Sequence, residues 1–251
     1  MTVATSNPPA TATRRRRSGR VRWTAVTLLS VAITGYFVGQ YATGSLAALG
    51  EQGVGLAATY ADRPVPVQAA FYAHITFAGL ALVAGPFQFA TMIRRRWPVV
   101  HRWIGRTYLA SIALGAPAAL VMSFFSSAAV AGFFGFGTLA LLWAWTSYRG
   151  YRAIRNGDIA SHQAWMIRSF ALTFAAPTLR LWLGVLMGAQ LSLHLAPAAD
   201  AFTNAYAVVP FLCWLPNIVV AEMMIRRRDL PGLRFSSSPA ARSAAAGAAG
   251  I

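Results

Sequence analysis

Long apolar stretches alternate with short polar, arginine-bearing ones along most of the chain. The apolar runs lie at about 23–41, 69–93, 101–125, 130–148, 162–187 and 201–225. At 1.5 Å of rise per residue, about 20 helical residues cross a hydrocarbon core of ~30 Å. The pattern predicts an all-α protein, a bundle of six transmembrane helices with helices two to five (69–188) as its core. The first run holds 19 residues without a charge. The apolar part of a cleaved secretory signal has only about 7–15, so an uncleaved first helix is expected. Residues 43–68 and 188–200 read as loops, 94–100 and 126–129 as turns, and 149–161 as a basic loop. Gly115 and Pro117 could bend the third helix, which is expected to run on from 101 to 125 because neighbouring helices compensate the lost backbone bond. The tails, 1–22 and 226–251, lack apolar periodicity and are expected to be disordered, leaving 23–225 as the membrane domain.

Composition sharpens this picture. The chain is 57% hydrophobic and 11% charged, against about 25% charged in soluble domains. Net charge is +16 and every basic residue is arginine. Such a balance can point to nucleic acid, but these arginines flank apolar runs, so the expected partner is the lipid bilayer and no nucleic acid. Twenty of the twenty-two fall on one side of the six-span arrangement. Arg63 lies opposite, and Arg180 inside the fifth run. Arginine excess marks the cytoplasmic face, so both termini are expected in the cytoplasm and the protein in a cell inner membrane. The lone cysteine, Cys213, excludes an intrachain disulfide and a cysteine-based metal site.

Few residues can carry chemistry. On helix two, His74, Ala78, Ala81, Gly85, Gln88 and Met92 follow three- and four-residue steps and share a face. Close packing through small residues, with Gln88 as interhelical glue, explains this face; a groove for a flat cofactor or lipid is the sharper alternative. On helix five, His162, Met166, Ser169, Thr173, Ala176 and Arg180 share another face. A charge such as Arg180 in a membrane helix usually faces a bundle interior or wet cavity with a partner, unless it snorkels to the head groups. Arg94, Arg95 and Arg96 are most simply topology signals. Arg102 and Arg106, one turn apart, form a candidate anion site or a solvated turn.

The four histidines are His74, His101, His162 and His194. The topology places His101 and His162 at one depth and His74 and His194 at another. Paired imidazoles at two depths are what a bundle needs to hold b-type haem between axial ligands. His101 and His162 would make the inner metal site, and His74 the outer one with His194 as a second ligand. Arg102, Arg106 and Arg168 stand near enough to meet propionates, and Arg180 a carboxylate of an outer cofactor. Gln88 would complete the cofactor-binding set. Interfacial histidines are also ordinary hydrogen-bonding residues, and His194 sits in a loop-like stretch. The six acidic residues are too scattered for an acid–base pair, and none lies within the central spans. No phosphate-binding glycine loop, HExxH or GxSxG motif is present.

The polar positions resemble the bacterial membrane family of domain of unknown function 2306. Its pattern is a histidine in the first core helix, then G-P-x-Q, an arginine cluster, H-R-x-x-G-R-x-Y, H-x-x-W-M-x-R-S, and L-R a dozen residues on. Here these are His74, Gly85-Pro86-Phe87-Gln88, Arg94 to Arg96, His101 through Tyr108, His162 through Ser169, and Leu179-Arg180. The match covers about residues 70–185. It implies fold and location, and no activity. A likeness to four-helix transmembrane b-type cytochromes rests on histidine placement alone. The expected function is a haem b electron carrier or reductase, with a redox protein or quinone as candidate partner. The alternatives are a binding or transport protein for a small molecule, lipid or anion, and a non-catalytic scaffold subunit.

The arginine asymmetry predicts that reporter fusions after Arg96, Arg155 and Arg228 read cytoplasmic and that a fusion at Ala198 reads external. A cytoplasmic signal at Ala198 would remove the six-span arrangement.

Overall fold

The computed structural model describes residues 10–233, with side chains from Gly19 onward; the outer parts of both tails lie outside it. Among the described residues there is no strand. The elements are α1 (Ala10–Gly39, followed by the 3-10 turn Gln40–Ala42), α2 (Leu46–Glu51), α3 (Ala57–Ala61), α4 (Val65–Gln88) and α5 (Thr91–Arg96). They continue with α6 (Pro98–Ser123), α7 (Ala129–Arg155), α8 (Ile159–Thr173), α9 (Ala175–Ser192), α10 (Ala198–Leu212) and α11 (Leu215–Arg226). Six stretches are long and apolar enough to cross a membrane: 19–42, α4, α6, α7, α8 with α9, and α10 with α11. The protein is an integral, multi-pass all-α membrane protein.

Several boundaries differ from the sequence reading. The helix continues back to Ala10, through residues expected to be disordered. Helix two stops at Gln88, so Met92 leaves its face and is exposed on α5. Helix α7 runs to Arg155, two turns into the expected basic loop. Helix α6 runs unbroken past Gly115 and Pro117. The breaks come instead in the last two crossings, at Phe174 and at Cys213–Trp214. Pro177 and Pro216 each lie in the first turn of the helix that follows a break, where a missing N–H costs no helical bond. The freed ends face one another and are stitched together. Thr178 Oγ1 donates to Cys213 O at 2.5 Å, and Asn217 Nδ2 lies 3.0–3.1 Å from Thr178 Oγ1, Ala171 O and Cys213 O.

The expected loop 43–68 holds α2 and α3, which fold over the ends of α4 and α6. Ser45 caps α2 by accepting from Ala48 N at 3.3 Å. Leu46, Leu49, Ala57 and Tyr60 bury against Phe71 and Met122. The Tyr60 hydroxyl donates to Met122 O at 3.3 Å, and burial pushes this phenol well above its usual range.

Helices α4, α6, α7 and α8 pack side by side, with α10 and α11 against α7 and α8, and α9 against α10. Water drives no association between helices in lipid, so close packing must do it. Glycines let the backbones approach. The Phe170 ring fills the space a side chain at Gly85 would take, and the Pro210 backbone does the same at Gly135, in the FFGFG stretch. Helix α1 joins through the Trp23 indole, which donates to Pro86 O at 2.9 Å.

Gly135→Ala should therefore cost about 1–3 kcal/mol through overpacking, since it meets the rigid Pro210 ring and backbone. Gly184→Ala, in open space on an exposed face, should be neutral or slightly stabilising. Thermal unfolding in detergent checks both; equal behaviour of the two variants would contradict the packing argument.

Candidate functional site

A group of buried polar residues forms a knot where α6, α7 and α8 meet. The Tyr108 hydroxyl, on a side chain 1% exposed, lies 2.8 Å from both Ser169 Oγ and Thr173 Oγ1. Trp143 Nε1 donates to Thr173 Oγ1, and Ser147 Oγ meets Ser169 Oγ, each at 2.8 Å. Every member has a partner, as buried polar groups require. The knot is a structural clasp.

One turn toward the arginine-rich face, Arg168 and Glu222 form a fork, Nε to Oε1 at 2.5 Å and Nη2 to Oε2 at 3.0 Å. Arg168 also lies over the Trp165 ring at 4.6 Å. Arg168 is therefore committed to a carboxylate and is not free for a propionate. Glu222, in the sixth crossing, was passed over in the sequence because its partner lies 54 positions away.

The histidines occupy three kinds of place. His74 stands nine residues into α4, about 13 Å from its start by the helical rise, deeper than the sequence reading placed it. Its Nδ1 lies 3.1 Å from Gly115 O of α6, and its ring stands edge-on to Trp143, centroids 6.5 Å apart. His162, in the first turn of α8, sets Nδ1 2.8 Å from Gly150 O of α7. His101, in the first turn of α6, has a buried Nδ1 with no hydrogen-bond partner, and its ring lies within electrostatic reach of His162. His194 is exposed with φ 52°. It ends α9, with Leu195 N bonded to Gln190 O at 2.9 Å, a left-handed helix stop in the turn to α10.

The remaining candidates divide. Gln88 donates from Nε2 to His101 O at 3.3 Å, tying α4 to α6. Arg106 is exposed and stacks over Trp103 at 5.0 Å, so it faces out of the bundle. Arg180 lies beyond the break at Phe174, so an unbroken helical face no longer aligns it with His162. Its Nη1 donates to Ala176 O at 2.9 Å and its guanidinium lies 4.4 Å from the Phe37 ring centroid. Among the described residues the one ion pair is Arg168 with Glu222, so Arg180 has no carboxylate. It lies within electrostatic reach of His74 and Tyr206. Among the described residues no group of three or more His, Cys, Asp or Glu could hold a metal ion.

Residues 71–225 match the family model described as "Predicted membrane protein (DUF2306)". The chain belongs to this family. The DUF2306 match runs through the sixth crossing, beyond the motif-bearing region 70–185. No curated protein and no solved structure matches the chain, so the likeness to b-type cytochromes has no support from them. The motif residues acquire physical roles: Tyr108 and Ser169 join the clasp, Arg168 the fork, Gln88 the α4–α6 tie, and Gly85 the seat of Phe170.

Replacing Glu222 by Gln leaves Arg168 buried with no counter-charge and should cost about 3 kcal/mol. That is about 6–12 °C in melting temperature for a domain of this size. The double variant Arg168→Met, Glu222→Leu should recover most of the loss, because both desolvation penalties disappear. A double variant as unstable as Glu222→Gln would show that the pair acts by packing alone.

Proposed function

We propose that this protein binds a small molecule carrying a hydrogen-bond acceptor or negative charge inside the bundle, at Arg180 with His74. The uncompensated Arg180 guanidinium carries the reading. A cation within a membrane helix costs about 2.5–3.5 kcal/mol or more. Of its five N–H donors, Nη1 meets a protein acceptor, Ala176 O. A carboxylate, a quinone carbonyl or a small anion would satisfy the rest. Tyr206 and Tyr41 stand within electrostatic reach of the same guanidinium. His74, steadied by Gly115 O, would offer Nε2 as a second polar contact. Such a protein is a carrier, a receptor or, with a quinone bound, part of a membrane oxidoreductase. It would lie in the inner membrane with its arginine-rich face in the cytoplasm.

A second reading, haem b, has its own observation. His74 and His162 each tie Nδ1 to a glycine carbonyl of a neighbouring helix, which fixes a ring and leaves Nε2 uncommitted, as metal-ligating histidines do. The bare Nδ1 of His101, within electrostatic reach of His162, would suit an inner site. The outer pair does not fit, since His194 is an exposed helix stop. Arg168 and Arg106 are both turned to other partners. Haem is therefore retained for His101 and His162 alone, and no electron-transfer step is derived from it.

One preparation tests both. Full-length protein in detergent is titrated with a short-chain quinone and with decanoate, and its absorption spectrum is recorded with and without added haem and reductant. At a hundredfold excess over the dissociation constant, a ligand at Arg180 should raise the melting temperature by about 5 °C or more. Arg180→Gln should abolish that shift. An equal shift in the variant, or none in either protein, overturns the Arg180 site. A Soret band lost in His162→Ala establishes the haem reading in its place.

A further inference from the structure

The end of α7 and the start of α8 border an open cavity of about 450 Å³ on the arginine-rich face. Trp145 and Trp165 form its walls, and Arg149 and Arg152 line it. The Arg149 guanidinium lies 4.9 Å from the Trp165 ring centroid and 5.4 Å from that of Trp145, so aromatic faces hold the cation before any ligand arrives. Arg152 Nη1 lies 3.3 Å from the Tyr148 hydroxyl. Asp158, the one acid in the lining, turns Oδ1 to Ser161 N at 2.9 Å and caps α8. These hydrogen bonds to Ser161 hold its carboxyl below the usual carboxylate range. Two arginines against one occupied carboxylate leave the cavity positive.

Its place in the bundle narrows the ligand. Trp145, Tyr148 and Tyr151 are each about half exposed on the outer flank of α7. Amphipathic aromatics of this kind settle at the head-group level, and arginines beside them meet lipid phosphates. The fork of Arg149 suits two oxygens of one phosphate, and the tryptophan walls suit the less polar part of the molecule bearing it.

We propose that this cavity is a binding site for a phosphate ester, with Arg149 and Arg152 as its phosphate ligands and Trp145 and Trp165 as its walls. The site is separate from Arg180 and stands whether or not the intramembrane reading does. Two sources carry this chemistry, the head group of an anionic phospholipid and a soluble phosphate ester.

Native mass spectrometry of the full chain distinguishes them, with phosphatidylglycerol, phosphatidylcholine and inorganic phosphate as probes. Phosphatidylglycerol is expected to bind in preference to phosphatidylcholine. The Arg149→Gln, Arg152→Gln pair should weaken it by about 25-fold, taking about fivefold for each interfacial arginine. Arg227→Gln with Arg228→Gln, exposed at the end of the last crossing and outside the cavity lining, should weaken it several-fold less. Displacement of the lipid by inorganic phosphate assigns the site to a soluble ester; its persistence assigns it to the lipid. Equal weakening by both pairs, or no preference among the three probes, overturns the proposal, since the face would then act only as diffuse positive charge.

Discussion

Hydrocarbon supplies no hydrogen-bond partner, and that constraint organises this molecule more than any single contact. Each polar group carried into the bundle must find its complement on a neighbouring helix. The arrangement meets it with few residues. Tyr108, Trp143, Ser147, Ser169 and Thr173 close on one another. Arg168 is neutralised by Glu222, and the carbonyl ends at the two breaks are held by Thr178 and Asn217. Against that background Arg180 and His101 stand out. One is a cation with no anion among the described residues, the other a ring nitrogen buried with nothing opposite it.

The crossings were legible because their signal is a sum over about twenty residues against a fixed thickness. Helix faces were legible where the helix continues: Met166, Ser169 and Thr173 are buried as their spacing requires. The reading failed where the chain departs from an unbroken helix. Pro117 sits within a continuous α6, whereas Pro177 and Pro216 accompany breaks. The residue is the same, and the difference lies in whether Thr178 and Asn217 stand ready across the interface. Pairing across distance was equally hidden, since nothing near Arg168 announces Glu222.

For the candidate site, the side chains singled out from the sequence have uneven neighbours in the structure. His74 and His162 do reach into helix contacts. Gln88 proved to be a tie between helices, Arg106 faces outward, and His194 ends a helix. Membership in DUF2306 accounts for the shared polar positions. Much of that signature describes how four helices clasp, which is why it reveals architecture more readily than chemistry.

The twin breaks divide the last two crossings into storeys. On one floor α8 packs against α11, locked by the Arg168 fork; on the other α9 packs against α10. The joint between floors consists of Thr178 and Asn217 and two short links at Phe174 and Cys213–Trp214. Arg180 belongs to the α9–α10 floor, whereas the Tyr108 clasp and the Glu222 fork belong to the other.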